Sequence, residues 1–185
     1  MKKRILALAL VSALGVCLCA CNDDDKIMLP TPEQAINQAK GTINTLSNQA
    51  DARDMRRTQL IEQNKVKIKG NATFSLPKAD IKLKAYSVIP WESLGQPERQ
   101  IYFLYDFINT DENDRSPSSV QVVAYQDGVR LDGAIYFDDN AATMIKNGVS
   151  ISVASAFVLN NLESDVQVKF ENYGEESEEY TVKIK

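Results

Sequence analysis

The sequence predicts an all-β protein: an immunoglobulin-like antiparallel β-sandwich, preceded by a signal peptide, a tether and one N-terminal helix. Three observations favour this fold class. Short segments rich in Val, Ile, Phe and Tyr follow one another from residue 64 to residue 185, with turn residues between them. Several of these segments alternate apolar and polar side chains, as strands with one face in a core do. Helical periodicity is confined to residues 32–63.

The N-terminus has the pattern of a secretory signal peptide, because basic residues 2–4 precede a short apolar run over residues 5–18. A transmembrane helix would need about 20 apolar residues. Ala20 precedes Cys21, and Leu18 lies three residues before that cysteine, which resembles a bacterial lipobox. We therefore predict a lipoprotein signal over residues 1–20 and acylation of Cys21 by palmitate-like chains that anchor it to a bilayer. The alternative is an ordinary signal peptide with incidental cysteines.

Composition excludes several classes of chemistry. The chain has no histidine, which excludes Ser-His-Asp catalysis and His-ligated zinc. Cys21 would be the one cysteine left after cleavage, so we expect neither a disulfide nor a thiol nucleophile. The formal net charge is −4 and would become −7 without residues 2–4, so a nucleic-acid partner is not expected. We expect no cofactor and no metal ligand set.

Residues 21–31 read as a flexible tether that begins with the acidic run over residues 23–25. Residues 32–63 read as a helical stalk, because Thr31 can cap a helix and Pro32 suits its first position. A narrow apolar stripe at 3-4 spacing runs along this helix through Ile36, Ala39, Ile43, Leu46 and Ala50. The stripe fits a helix that lies on a domain, a solitary stalk or a short coiled coil that dimerises.

Residues 64–185 carry the predicted sandwich. Ile101, Phe103, Tyr105 and Phe107 alternate onto one face of a strand, and similar alternation recurs over residues 151–159, 166–170 and 180–184. Asp127-Gly128 is a strong hairpin signal. If the strands follow a simple up-and-down path, which includes a strand rising to Phe137, then alternate connections lie at the same end of the sandwich. This strand parity places three acidic loops at one end.

Those acidic loops are the first candidate binding site. Their residues are Asp111, Glu112 and Asp114, then Asp138 and Asp139, then Glu175 and Glu176, with Glu178 and Glu179 close behind. They could recognise a basic partner or hold Ca²⁺, a hard cation that prefers six to eight oxygen ligands. They could also be ordinary surface loops of an acidic protein. Trp91 is the second candidate, because it lies in a segment that reads as a loop, VIPWESLGQPE. It is either an exposed anchor for a partner or a side chain folded back over the sheet.

From about Lys78 to Tyr173 the chain resembles a domain family of unknown function found in lipoproteins of Gram-positive bacteria. The segments that carry the resemblance are IYFLYDFINTDEN, VVAYQDGVRLDGAI, IKNGVSISVASAFVLNN and VQVKFENY. The matching positions are Tyr105 to Thr110, Gln126 to Leu131, Asn147-Gly148 and Phe157 to Leu159. The resemblance implies an immunoglobulin-like fold, similar to that of mycobacterial secreted immunoprotective antigens. It also implies an extracytoplasmic domain without catalytic residues.

These observations together predict a membrane-anchored extracytoplasmic lipoprotein that is not an enzyme. Its sandwich would act as a binding module, and an extracytoplasmic protein is the expected partner. The alternative is an accessory lipoprotein that binds a cation or a small molecule through the acidic loops. A carboxylate enzyme such as a glycosidase is a third class, but no pair of carboxylates stands out from the acidic background.

Overall fold

The computed structural model of the chain describes residues 31–70 and 72–184. The predicted signal peptide, the lipidation site Cys21 and residues 21–30 of the predicted tether lie outside the described residues. The chain divides into two compact units, Met1–Arg57 and Thr58–Lys185. None of the described helices is long and apolar enough to span a membrane.

The helix α1 extends over Pro32–Gln63 and begins where the sequence predicts. Its N-terminus is a capping box: the Gln34 amide donates to Thr31 Oγ1 at 3.3 Å, and the Thr31 amide donates to Gln34 Oε1 at 2.9 Å. In the first unit the helix is largely solvent-exposed, and Ile36 and Leu46 of the apolar stripe keep 54% and 43% of their surface accessible.

The described residues of the second unit contain ten strands after the end of α1, all paired antiparallel. Their bounds are β1 Lys65–Lys67, β2 Thr73–Leu76, β3 Ala79–Ser93, β4 Gln96–Asn109, β5 Gln121–Gln126, β6 Val129–Arg130, β7 Ser150–Val158, β8 Val166–Asn172, β9 Glu175–Glu176 and β10 Tyr180–Val182. Single 3₁₀ turns occupy Pro117–Ser119 and Asp139–Ala142.

The strands form two five-stranded sheets. Sheet I has the order β1-β3-β4-β7, and β2 continues the β1 edge along β3. Sheet II has the order β10-β8-β5-β6, and β9 also pairs with β8. If β3, β4, β5, β7, β8 and β10 are taken as the immunoglobulin strands A, B, C, E, F and G, this is the ABE and CFG pairing of that fold. The predicted antiparallel sandwich is confirmed.

One predicted strand is wrong. The segment that was expected to rise as a full strand to Phe137 forms only the two-residue β6 and then runs irregularly beside β7. The Ala134 amide donates to the Ala156 carbonyl at 2.9 Å, and the Val158 amide donates to the Asp132 carbonyl at 2.9 Å. This segment, residues 132–138, therefore runs beside β7 in the place of strand D at the edge of sheet I, without forming a regular strand.

The main core lies between the two sheets. Sheet I contributes Ile101, Phe103, Tyr105 and Phe107, the residues whose alternation predicts this face. Sheet II faces them with Val166, Val168, Phe170, Ala124 and Val182, all at most 2% exposed. These side chains account for the stability of the sandwich, because each fully buried large apolar side chain contributes about 1.5–3 kcal/mol.

A second, smaller cluster lies on the outer face of sheet I. A bulge between Leu83 and Ala85 shifts the β3–β4 register, so that the second half of β3 turns its alternate residues outward. Ile89 and Trp91 then meet Tyr102 of β4, and Ile61 from the last turns of α1 packs against them. The sequence does not predict this cluster, because Tyr102 lies between core residues on a strand that is apolar on both faces.

Trp91 is neither in a loop nor exposed. It lies within β3, is 8% exposed and belongs to the outer cluster. The strands continue to the pair Ser93↔Gln96, which leaves only Leu94 and Gly95 in the turn. The prediction of a long loop at VIPWESLGQPE is therefore wrong, and Trp91 is a packing residue that is not available as a surface anchor.

Candidate functional site

Three hairpins of the sandwich end in two-residue turns with both φ angles positive. They are Leu94-Gly95, Asp127-Gly128 and Tyr173-Gly174, with first-position φ angles of 51°, 54° and 52°. Such type I′ turns favour Asn or Asp before Gly, because a side chain in the left-handed region clashes with its own backbone. Asp127 obeys this preference, whereas Tyr173 does not.

A fourth turn, Pro77-Lys78 between β2 and β3, also holds a non-glycine residue in the left-handed region, with Lys78 at φ 64°. Pro77 and Tyr173 come from different sheets, yet their turns meet at one end of the sandwich. Asn172 Nδ2 donates to the Pro77 carbonyl at 2.6 Å, and Lys78 Nζ lies 5.1 Å from the centre of the Tyr173 ring. Strained non-glycine residues of this kind are concentrated at functional sites.

The carboxylate of Asp111 holds this end together. Its Oδ2 atom lies 3.2 Å from Lys78 Nζ and 3.1 Å from Arg115 Nη1. Arg115 Nη1 also donates to the Tyr173 hydroxyl, and its guanidinium carbon lies 4.9 Å from the centre of that ring. We call Lys78, Asp111, Arg115 and Tyr173 the Asp111 cluster.

The electrostatics of the cluster favour the charged forms of Asp111 and Arg115. Burial raises the pKa of Asp111, but hydrogen bonds from Arg115, the Asn113 amide and Lys78 outweigh burial and lower the pKa to about 2. The hydrogen bond to Tyr173 raises the pKa of Arg115, and Asp111 raises it further. The Tyr173 ring is 62% exposed, so the cluster presents an aromatic surface that two cations hold in place.

Asparagine side chains fix the loop that carries Asp111. Asn109 is fully buried, and its Nδ2 donates to the carbonyls of Asn113 and Ile145, both at 2.9 Å. Asn109 Oδ1 accepts from the Asp111 amide at 2.8 Å, and Asn147 Nδ2 donates to the Asp111 carbonyl at 2.8 Å. The position of the Asp111 carboxylate is therefore set by buried hydrogen bonds.

A polar groove of about 520 Å³ borders the cluster. Tyr173 belongs to its wall, and the other lining residues are Ser118, Ser119, Gln121, Glu171, Asn172, Gly174 and Glu176. The volume lies in the range of small-ligand sites, about 300–1,000 Å³, but such sites are mostly apolar and this groove is not.

The structure separates the predicted acidic residues. Asp111 is in the cluster, and Glu112 and Asp114 are exposed on the same loop. Glu175 and Glu176 are exposed on β9, next to the Tyr173 turn, and Glu176 Oε2 lies 3.5 Å from Lys169 Nζ.

The second acidic loop does not lie at the end of the sandwich where strand parity predicts it. Asp138 lies beside the middle of β7, where its carboxylate accepts from the Ala154 amide at 2.8 Å and from the Asn140 amide at 2.9 Å. Asp139 begins the 3₁₀ turn that follows. Asp138 therefore replaces a backbone acceptor at the edge of sheet I, because the chain here is not a regular strand.

Within the described residues, no group of three or more acidic, cysteine or histidine side chains converges as a metal site would. The Asp111 carboxylate is already neutralised by Lys78 and Arg115. Sequence reasoning selected Asp111 but missed Lys78, Arg115 and Tyr173. The signals available in the sequence were Tyr and Lys at turn positions that favour Asn or Gly, in Tyr173-Gly174 and Pro77-Lys78.

Comparison with known families shows which family the chain belongs to. Residues 56–172 match the model of the domain of unknown function DUF5067. The chain belongs to this family. The family positions identified from the sequence are structural here: Asn109 orders the Asp111 loop, Gln126 binds the loop at residues 160–164, and Leu131 lies in the main core. A comparison with curated proteins finds no match.

Several solved structures are similar to this DUF5067 chain. A "putative lipoprotein" from Staphylococcus aureus subsp. aureus NCTC 8325 is 20% identical with a TM-score of 0.50, over 64% of this chain and 91% of that one. A "putative lipoprotein (ycdA)" from Bacillus subtilis subsp. subtilis str. 168 is 14% identical with a TM-score of 0.48, over 62% of this chain and 39% of that one. A "functionally unknown protein" from Listeria monocytogenes EGD-e is 10% identical with a TM-score of 0.45, over 69% of this chain and 91% of that one.

Proposed function

We propose that this chain is a membrane-anchored extracytoplasmic lipoprotein whose sandwich binds a protein partner through the Asp111 cluster, without catalysis. The lipobox-like Cys21 supports the anchor, and membership of DUF5067 fits such a module. The observation that carries the binding role is the meeting of two strained residues, Lys78 and Tyr173, from hairpins of opposite sheets.

The fold alone does not require these two residues. A type I′ turn would be more stable with Asn or Asp in place of Tyr173, as the Asp127-Gly128 turn of the same domain illustrates. The chain instead presents a large, amphipathic ring at this position, 62% exposed and clamped by two cations. Tyr and Arg are the residue types that contribute most at protein interfaces, and a preorganised ring loses little conformational entropy on binding.

The non-enzymatic part of the proposal rests on how the carboxylates are engaged. A general acid must hold a proton near neutral pH, whereas the Asp111 carboxyl has a pKa of about 2 and stays ionised. Glu176 of the groove pairs with Lys169. The cation-binding alternative is less well supported, because the best-placed carboxylate already has two cationic partners.

The test uses the full chain in cells, with a photo-cross-linking residue at Ser118, an exposed position in the groove wall. We expect one discrete cross-linked protein, at least tenfold weaker after Tyr173→Asn, which suits the turn and removes the ring. Asp127→Asn, in the equivalent turn outside the cluster, is the matched control and should leave the yield unchanged. Equal loss in both variants, or no cross-linked protein, would contradict the proposal.

The anchor is tested separately. Cys21→Ser should move the protein from the membrane fraction to the medium, because the acyl chains would no longer be attached. A chain that stays in the membrane fraction after this substitution would show that something other than Cys21 holds it there.

A further inference from the structure

The β3–β4 hairpin extends beyond the rest of sheet I. The last pair between β4 and β7 is Gln100↔Val158, but β3 and β4 continue to pair as far as Ser93↔Gln96. The Leu159 amide still donates to the Arg99 carbonyl at 2.8 Å, and beyond the pair Pro90↔Arg99 the hairpin is two-stranded; we call residues 90–99 the hairpin arm. At about 3.3 Å per residue, the arm reaches about 13 Å past the last β7 pair.

The base of the arm is fixed by packing. A two-stranded ribbon alone is marginally stable in water. Here Ile89 and Trp91 are 0% and 8% exposed, and they pack with Tyr102 and Ile61 in the outer cluster. The arm is therefore held as a defined projection of the domain.

The tip of the arm carries a leucine where the turn favours a small polar residue. Leu94 occupies the first position of the type I′ turn at φ 51°, and its side chain is 87% exposed. Both features disfavour leucine: the left-handed conformation costs a bulky residue about 1–2 kcal/mol, and the side chain gains nothing from burial. The same domain uses Asp127 in the equivalent turn, so the choice of leucine is not dictated by the turn geometry.

We propose that Leu94 is a docking residue that inserts into an apolar pocket of an extracytoplasmic protein. This surface is separate from the Asp111 cluster, because the two lie at opposite ends of the 15-residue strand β3, about 45 Å apart along the strand. The contact is made by the tip and not by strand pairing, since Pro90 and Pro97 interrupt both edges of the arm. A bilayer is the weaker candidate, because Glu92 and Glu98 lie close to the tip and an anionic lipid surface would repel them.

The experiment separates a binding role from a folding role by the sign of a stability change. Leu94→Asn gives the turn its favoured Asn-Gly sequence and removes the apolar side chain. For the full chain carrying Cys21→Ser, we expect the Tm to rise by about 1–4 °C. A fall in Tm would show that Leu94 serves the fold, and would overturn the proposal.

Binding is measured in cells with a photo-cross-linking residue at Gln96, which is exposed beside the tip. We expect a discrete cross-linked protein that decreases at least tenfold in Leu94→Asn and is unchanged in the control Asp127→Asn. A yield that is insensitive to Leu94→Asn, or the absence of a cross-linked protein, would overturn the proposal. So would Leu94-dependent flotation of the Cys21→Ser chain with phosphatidylglycerol vesicles, which would assign the tip to a lipid surface.

Discussion

The side-chain amide of Gln126 is fully buried and forms hydrogen bonds to the backbone of the loop between β7 and β8. Substituting Gln126 therefore tests how the sandwich holds this loop in place. Gln126 Oε1 accepts from the amides of Asn160 and Asn161 at 2.9 and 3.2 Å. Its Nε2 donates to the carbonyls of Asn161 and Ser164 at 3.1 and 2.9 Å. The β7–β8 loop is therefore fastened to the end of β5 by one side chain.

The perturbation is Gln126→Leu, which keeps the approximate volume of the side chain and removes all of these hydrogen bonds. Each neutral hydrogen bond contributes about 1 kcal/mol net, and a buried group left without a partner costs about 1–3 kcal/mol. Because the loop is partly exposed, water can reach some of the freed groups. We therefore expect the free energy of unfolding to fall by about 3 kcal/mol.

Urea unfolding of the Cys21→Ser chain measures this loss, and amide hydrogen exchange at Asn160 and Asn161 locates it. The matched control is Gln121→Leu on the same strand, where the glutamine is exposed and the change should stay within about 0.5 kcal/mol. If Gln126→Leu lowered the free energy of unfolding by less than about 1 kcal/mol, the loop would not depend on this side chain, and our explanation of the family position would be refuted.

Three further predictions follow from the described contacts. Trp91→Ala should lower the free energy of unfolding by about 3–5 kcal/mol, whereas the exposed Val129→Ala should change it little; equal small effects in urea unfolding would contradict the outer cluster. Because the folded-state pKa of Asp111 lies below 3.8, its contribution to stability is complete above about pH 5 and is lost as the pH falls through 3.8 towards 2. The decline in Tm over that range should be shallower in Asp111→Asn than in the parent chain or in Asp139→Asn; parallel curves would refute the pairing. The Tm should be the same in millimolar Ca²⁺ as in the presence of a chelator, and a clearly higher Tm in Ca²⁺ would support a cation site.

The parts of the fold that the sequence predicts are those governed by local patterns. The capping box at Thr31 and Gln34 fixes the start of α1, and the alternation from Ile101 to Phe107 identifies the inner face of β4. The hairpin at Asp127-Gly128 follows from a residue pair that adopts positive φ at low cost.

The misplaced features depend on contacts distant in sequence. The bulge after Leu83 turns the alternate side chains in the second half of β3 from the inner to the outer face of sheet I. Trp91 is buried on that outer face, in the cluster that also contains Ile61. Residues up to Phe137 have strand-like composition, but they contact β7 only intermittently, with Asp138 supplying a side-chain acceptor. The Asp111 cluster joins turns of two sheets, so no single stretch of sequence contains it.

The irregular segment beside β7 has a consequence for self-association. An uncovered edge strand offers a row of free amides and carbonyls on which a second chain can assemble as an added strand. Residues 132–138 use several of those groups on β7 without forming a continuous strand of their own. At the far side of sheet II, β6 is only two residues long. Both of these edges therefore offer a poor template for strand addition, which protects the protein from fibrous aggregation wherever many copies are crowded together.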